Sequence, residues 1–165
     1  MTVFDQVFKM VVGSEGGYVN DPNDAGGETK YGISKRSYPS VNIPALTLES
    51  AKAIYLHDFW NKIKGDSLPP SLAALVFDAA INSGPSQAVR WLQMALGVAA
   101  DGIIGPVTLA AVAAYKPGWE LMAKCQAQRI LFMSGLDGEW DRYKKGWVER
   151  VQRLSYQALS INANT

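Results

Sequence analysis

The chain has 165 residues, 48% of them hydrophobic, and its 16 basic and 15 acidic residues give a formal net charge of +1. This length and apolar content suit one domain or a tight pair of domains with ample material for a core, and the near-neutral charge gives no electrostatic case for nucleic acid binding. One cysteine, Cys125, and one histidine, His57, exclude an intrachain disulfide and argue against a zinc site built from Cys and His.

The N-terminal stretch predicts an amphipathic helix. Apolar residues recur at helical spacing, at Phe4, Val7, Phe8, Val11 and Val12. Glu15 continues this stripe, and burial of a carboxyl group raises its pKa because the charged form is disfavoured. A general acid for glycoside hydrolysis needs such a shift to stay protonated near neutral pH. The alternative is that Gly16 and Gly17 end the helix early and leave Glu15 solvated.

A loop rich in Asn, Asp, Pro and Gly follows. The turn signal from Asp21 to Asp24 and the pair Gly26-Gly27 allow the chain to double back. Either aspartate would then lie across from Glu15, and glycoside hydrolysis commonly uses two carboxyl groups about one cleft. Thr29 is a candidate for orienting a water molecule. Turn formation alone is the other interpretation of the aspartates, and the favoured one for Asp21.

Three segments of this stretch resemble the signature of glycoside hydrolase family 108, which are EGGY at 15–18, DPNDAGG at 21–27 and TKYGI at 29–33. Members of that family are peptidoglycan-cleaving muramidases, and the resemblance implies that Glu15 is the catalytic acid. We expect Tyr31, in the third segment, to contact substrate.

A looser similarity links the same stretch to phage-type lysozymes, whose Glu, Asp and Thr follow in this order. As in those enzymes, eight residues separate Glu15 from Asp24, whereas the gap from Asp24 to Thr29 is one residue shorter here. The similarity implies supporting catalytic roles for Asp24 and Thr29.

The rest of the chain predicts helices. Thr47 can cap a helix that runs from Leu48 towards Phe59-Trp60, a pair interpreted as core rather than as a sugar-stacking platform. Pro69-Pro70 opens the next helix, which Gly84-Pro85 ends.

Asp78 and Asn82 lie four residues apart on that helix and share one face. We expect a structural role for Asp78 and a substrate contact for Asn82. The run from Asp78 to Gly84 also resembles the pattern of family 108.

Four further helices are predicted, over 86–96, 107–115, 119–133 and 139–159. The turn at 101–108 resembles a loop of peptidoglycan-binding helical modules; wall anchoring and a structural elbow are equally favoured. The helix over 119–133 carries Leu121, Met122, Cys125, Ile130 and Leu131 as its apolar residues, and the Cys125 thiol is expected to be buried. The last helix is predicted to bury an aromatic stripe of Trp140, Tyr143, Trp147, Val151 and Leu154, with Arg142, Lys144, Lys145, Glu149 and Arg150 on a solvated face.

We therefore expect a mainly α-helical, lysozyme-like bundle with a glycine-rich catalytic loop and little or no β structure. Residues 1–85 are predicted to form a muramidase region and residues 86–165 a peptidoglycan-binding-like region packed against it. The resemblance implies cleavage of the β-1,4 bond between N-acetylmuramic acid and N-acetylglucosamine. A lytic transglycosylase and a non-catalytic wall-binding or secretion-assisting protein are the alternatives.

The expected partner is bacterial peptidoglycan, with no nucleic acid, no membrane insertion, no metal and no organic cofactor, and we expect a monomer. No run of residues has the length and apolarity of a membrane helix, and the N-terminus lacks a secretion signal. We expect synthesis in the bacterial cytoplasm and action on the wall after release by a holin-type or other route.

Overall fold

A computed structural model describes residues 1–13, 16–20 and 27–161. It divides into two compact units, Met1–Asp58 and Phe59–Thr165. The first holds helices α1 (Val3–Val11) and α2 (Leu48–Tyr55) and the strands β1 (Val19–Asn20), β2 (Glu28–Lys30) and β3 (Ile33–Ser34). The second holds α3 (Pro70–Ser83), α4 (Pro85–Leu96), α5 (Pro106–Ala114), α6 (Gly118–Ser134) and α7 (Glu139–Leu159). A π-helical turn, Leu56–Trp60, follows α2, and a 3₁₀ turn covers Gly65–Ser67. The expected mainly α-helical fold is confirmed.

Helix α1 is closed at both ends by local contacts. Thr2 Oγ1 accepts from the Asp5 amide at 3.1 Å, and the Asp5 carboxylate accepts from the Thr2 amide at 2.7 Å, which is a capping box. Gly13 has φ +80° and donates its N–H to the Phe8 carbonyl at 3.3 Å, which satisfies an end carbonyl. The helix ends at Val11, and Glu15, the next expected position of its apolar stripe, lies outside the described residues.

The core of the first unit is formed by α1, α2, β3 and the loop before α2. Its buried apolar residues are Phe4, Val7, Phe8, Ile33, Ile43, Leu46, Ala51 and Tyr55. Thr47 caps α2, as expected, by accepting from the Ser50 amide at 3.1 Å. The three strands form an antiparallel sheet in the order β1-β2-β3, with Val19 opposite Thr29 and Thr29 opposite Ser34.

The second unit is organised around α3. Ten consecutive residues of this helix, from Ser71 to Ala80, are buried, as is typical of a helix surrounded by other elements. Helices α4, α6 and α7 pack against it. Trp60 is fully buried with its ring 5.6 Å from Phe77, which confirms that it belongs to the core.

Helices α6 and α7 follow the predicted apolar sets only in part. On α6, Leu121, Met122 and Cys125 are buried together with Gln126 and Arg129, whereas Leu131 is 65% exposed. On α7 the buried residues are Val151, Leu154 and Ala158. Trp140 and Trp147 are half-buried and Tyr143 is 44% exposed, so the predicted aromatic core stripe on α7 is wrong over its first half.

Among the described residues, no helix combines the length and apolarity needed to cross a membrane.

Candidate active site

The turn of the β2–β3 hairpin consists of two residues with an unusual backbone conformation. Lys30 pairs with Ile33, which leaves Tyr31 and Gly32 between them with φ +51° and +76°. Positive φ at both central positions is the mark of a type I′ turn. A bulky residue rarely adopts this conformation, so the contacts around Tyr31 must maintain it.

Helix α2 supplies one of those contacts. The hydroxyl of Tyr55 donates to the Tyr31 carbonyl at 3.1 Å. A Cβ at Gly32 would lie 2.4 Å from the same hydroxyl oxygen, so this position has no room for a side chain. The Tyr55 ring also meets the ring of Phe8 on α1, edge-on, with centroids 5.6 Å apart. Both helices of the first unit therefore support the turn.

Gly16 supplies a second contact. A Cβ at Gly16 would lie 2.6 Å from Cα of Tyr31 and 2.8 Å from its amide nitrogen. Such distances are shorter than atoms can approach, and the clash is with backbone. Gly17 is different, since a Cβ there would meet no atom within 4 Å. The chain segment that directly follows Glu15 in sequence therefore lies against the hairpin turn, and glycine at position 16 permits it.

The structure brings two of the predicted site residues together. Thr29, in the middle of β2, and Tyr31 are both half-buried on the same hairpin. Thr29 Oγ1 makes a long contact, 3.4 Å, with the Gly27 carbonyl, and Lys30 Nζ lies 5.7 Å from the centroid of the Tyr31 ring. Glu15 and Asp24 lie outside the described residues, as does Asp21.

The sheet carries a carboxylate that the sequence did not single out. The hydroxyl of Tyr18 donates to Glu28 Oε1 at 2.7 Å, and this hydrogen bond raises the pKa of Tyr18. The two residues lie ten positions apart and meet only because β1 and β2 pair. Strand register therefore creates this contact, and spacing in the sequence gives no signal of it.

A second polar cluster lies at the end of the first unit. The Asp58 carboxylate accepts from the Tyr38 hydroxyl at 2.9 Å, and its other oxygen lies 2.6 Å from His57 Nδ1. Burial, and then the hydrogen bond to Asp58, raise the pKa of Tyr38. His57 and Asp58 belong to the π-helical turn, so the change from α-helical to π-helical backbone after α2 sets the positions of both side chains in this cluster.

Asn82, the remaining predicted site residue, belongs to the second unit. Its Nδ2 donates to the backbone carbonyl of Asp78, one turn earlier on α3, at 2.6 Å. The side chain of Asp78 is buried and binds two arginines. Arg129 Nη1 lies 2.7 Å from Oδ2, while Arg150 Nε and Nη2 lie 2.9 and 2.6 Å from Oδ1. Asp78 thus ties α3 to α6 and α7, and Arg150 is not on a purely solvated face.

The turn at 101–108 is held by a buried glutamine that the sequence did not single out. Gln93 Nε2 donates to Asp101 Oδ1 at 2.7 Å and to the Ile103 carbonyl at 3.0 Å, while its Oε1 accepts from the Gly102 amide at 2.8 Å. The Ile103 amide and then Gln93 lower the pKa of Asp101. The Asp101 carboxylate is therefore used within the fold, which favours the structural elbow.

Within the part of the chain that the structure describes, no three His, Cys, Asp or Glu side chains are grouped so that they would hold a metal ion. The Cys125 thiol is buried, and burial raises its pKa to about 12. A thiol held in this form is a poor nucleophile, so Cys125 is not a candidate for the chemistry.

Comparison with known proteins adds four findings. A family model described as glycosyl hydrolase 108 matches residues 8–84, and one described as a predicted peptidoglycan domain matches residues 87–152. The solved structure entitled "Structure of Brucella abortus SagA" is similar, with 36% sequence identity, a TM-score of 0.83, and coverage of 95% of this chain and 94% of that one. No curated protein matches the chain.

Proposed function

Because the chain belongs to glycosyl hydrolase family 108, we propose that it is a muramidase that hydrolyses the β-1,4 bond between N-acetylmuramic acid and N-acetylglucosamine in peptidoglycan. The family supplies the reaction class, and the match to a predicted peptidoglycan domain supports the substrate. The single observation that carries the choice of site is the contact of Gly16 with the backbone of Tyr31. It joins the Glu-Gly-Gly motif to a hairpin turn whose conformation is strained, as functional sites often are.

We assign the general acid to Glu15. In this role it donates a proton to the glycosidic oxygen as the bond from that oxygen to the sugar carbon breaks, and water supplies the hydroxyl group of the new reducing end. A carboxyl group needs a raised pKa to remain protonated for this step. Asp24 is assigned to stabilising positive charge at the sugar or positioning the water with Thr29, and Tyr31 and Asn82 to substrate contact.

Replacement of one carboxyl group tests the assignment. Glu15→Gln removes the proton donor while keeping the shape of the side chain, so we expect wall clearing to fall by about 10²–10⁴-fold with an unchanged melting curve. Glu49→Gln, at an exposed position in the first turn of α2, is the matched control and should keep full activity. Asp24→Asn should have a smaller effect than Glu15→Gln. Wild-type wall clearing by a folded Glu15→Gln protein would reject the assignment.

The biological setting follows from the family resemblance. We propose an endolysin-type role in cell wall lysis, in a bacteriophage or a bacterium, after release of a monomeric enzyme from the cytoplasm by a holin-type or other export route. We also propose the division of labour predicted above, with cleavage by residues 1–85 and wall binding by residues 86–165.

The match to a predicted peptidoglycan domain also favours a second function, wall binding without catalysis. Release of reducing sugar from purified peptidoglycan separates the two, since a binding protein would release none. A binding protein would also retain its affinity for insoluble walls when Glu15 is replaced.

A further inference from the structure

A pocket of about 190 Å³ opens in the second unit between α3, α6 and α7. The polar and aromatic side chains that line it include Asn82 from α3, Arg129 from α6, and Glu139, Trp147 and Arg150 from α7. Asn82 lies within the part of the chain matched by the hydrolase model, and the other four lie within the part matched by the peptidoglycan model. The pocket therefore combines residues from both matched regions.

The two arginines at the pocket favour a carboxylate ligand. Arg129 and Arg150 share one buried carboxylate, that of Asp78, which leaves one guanidinium charge unmatched within this cluster, while Glu139 adds a negative charge to the pocket lining. The side chain of Arg129 is 4% exposed, and its Nε has no hydrogen-bond partner among the described residues. An unpaired buried donor is costly, and a guanidinium group binds carboxylates through several N–H groups in a planar fork. An acceptor bound in the pocket would complete the bonding of Arg129.

The other residues that line the pocket indicate which kind of molecule bears the carboxylate. Trp147 is half-buried at the pocket, and its ring lies 6.4 Å from Trp140 and 5.8 Å from Tyr143 between centroids. Of these three aromatic residues Trp147 lines the pocket and offers flat apolar surface to a ligand, while Trp140 and Tyr143 lie beside it on α7. The volume admits one small group rather than a sugar chain. A short peptide whose free carboxylate stands next to small apolar side chains fits both features.

We propose that this pocket binds a free carboxylate of the peptide stem of peptidoglycan. The choice of peptidoglycan rests on the proposed function, whereas the choice of a carboxylate rests on the arginines. Glu139, exposed at the start of α7, sets the affinity, because its negative charge opposes an anionic ligand. Stem binding here would hold the protein to the wall through a group that hydrolysis of the sugar chain leaves intact.

Binding of a soluble stem tetrapeptide to the full chain tests the proposal, with Trp fluorescence or calorimetry as the readout. The free peptide should bind, and the same peptide with its carboxylates amidated should bind at least about tenfold more weakly, since charge-assisted hydrogen bonds are lost. Equal binding of the two peptides, or no binding of either, would overturn the proposal. Glycan strands stripped of their stems carry lactyl carboxylates instead. If they bind in preference to the peptide, the stem is the wrong source of the carboxylate.

Two variants with opposite expected signs separate recognition from structural damage. Arg150→Gln should weaken binding of the free peptide by about tenfold or more. Arg153→Gln is the control and should not weaken it, because Arg153 is exposed on the same helix and does not line the pocket.

Glu139→Gln should tighten binding of the free peptide by about two- to fivefold and leave binding of the amidated peptide unchanged. Damage to the fold would not tighten binding, so weaker binding by Glu139→Gln counts against the proposal even if Arg150→Gln fails to fold.

The peptide has no glycosidic bond, so its binding does not depend on catalysis. Release of reducing sugar by the wild-type protein without any peptide binding would reject the pocket proposal alone. Peptide binding without release of reducing sugar would reject the proposed hydrolase and retain the pocket.

Discussion

The two compact units place their polar side chains differently. In the unit Met1–Asp58, Thr29, Tyr31 and Glu28 lie half-buried on a small sheet whose turn is shaped by close backbone contacts. In the unit Phe59–Thr165, Asp78 and Gln93 are buried and bonded to groups of the same unit. Polar groups that the fold uses internally stabilise it, and those left at the surface of a rigid turn remain available to a substrate. This difference supports our proposal that the chemistry belongs to the first unit, whereas the buried polar groups of the second unit stabilise its fold.

The largest expected effect comes from breaking the buried cluster at Asp78. Asp78→Asn leaves two guanidinium groups without their carboxylate, and loss of one partner of a buried ion pair costs about 3–5 kcal/mol. Urea unfolding followed by Trp fluorescence measures it, because all five tryptophans lie in the second unit.

Asp141→Asn is the matched control for that experiment. Asp141 also binds a cation, Lys144, at 2.8 Å, but its side chain is 81% exposed. Exposed pairs contribute about 0–1 kcal/mol, so the control should unfold almost as the wild type does. Similar losses in the two variants would mean that Asp78 does not hold the second unit together.

An intermediate effect is expected at the two glycines that follow Glu15. Gly16→Ala forces a methyl group against the backbone of Tyr31 and should cost about 1–3 kcal/mol through overpacking, with a clear loss of wall clearing. Gly17→Ala meets open space and should change stability by about 0.5 kcal/mol or less. Melting curves and clearing assays on both variants test the turn as the active site. If both substitutions leave stability and wall clearing equally unaffected, the contact of Gly16 with the hairpin turn is not needed for activity.

The smallest effect concerns the pH dependence of the first helix. The side-chain hydrogen bond from Lys52 and then the bond from the Thr2 amide lower the pKa of Asp5 from 3.8 to about 2. A carboxyl group whose pKa is lower in the folded state stabilises the fold above its unfolded value, and this contribution is lost as the pH falls through about 2. The melting-temperature difference between wild type and Asp5→Asn should therefore be constant above pH 5 and shrink towards pH 2. A difference that does not change with pH would show that the charge of Asp5 does not stabilise the fold.

The sequence predicted the helices well because their boundaries are local. Thr47 and the pair Gly84-Pro85 act through nearby backbone groups, and each marks a helix boundary in the structure. On α6 the sequence identified the buried Leu121, Met122 and Cys125 but gave no signal for Gln126 and Arg129. Hydrophobic periodicity cannot reveal a polar side chain that is buried.

Contacts made across the fold were beyond the sequence. The Tyr18–Glu28 hydrogen bond depends on strand register, and the Asp78 cluster joins residues 51 and 72 positions apart. Neither leaves a periodic signal. For the candidate site, the motif around Glu15 predicted which segment is involved, whereas the fit of Gly16 against Tyr31 came only from the structure.

Product analysis tests the central claim most directly. Purified peptidoglycan digested with the wild-type protein should yield, by mass spectrometry, fragments that end in reducing N-acetylmuramic acid, because water enters the broken glycosidic bond. The Glu15→Gln protein should yield none of them. Fragments ending in anhydro sugar, lighter by one water molecule, would contradict hydrolysis, and an undigested wall would contradict catalysis by this chain altogether.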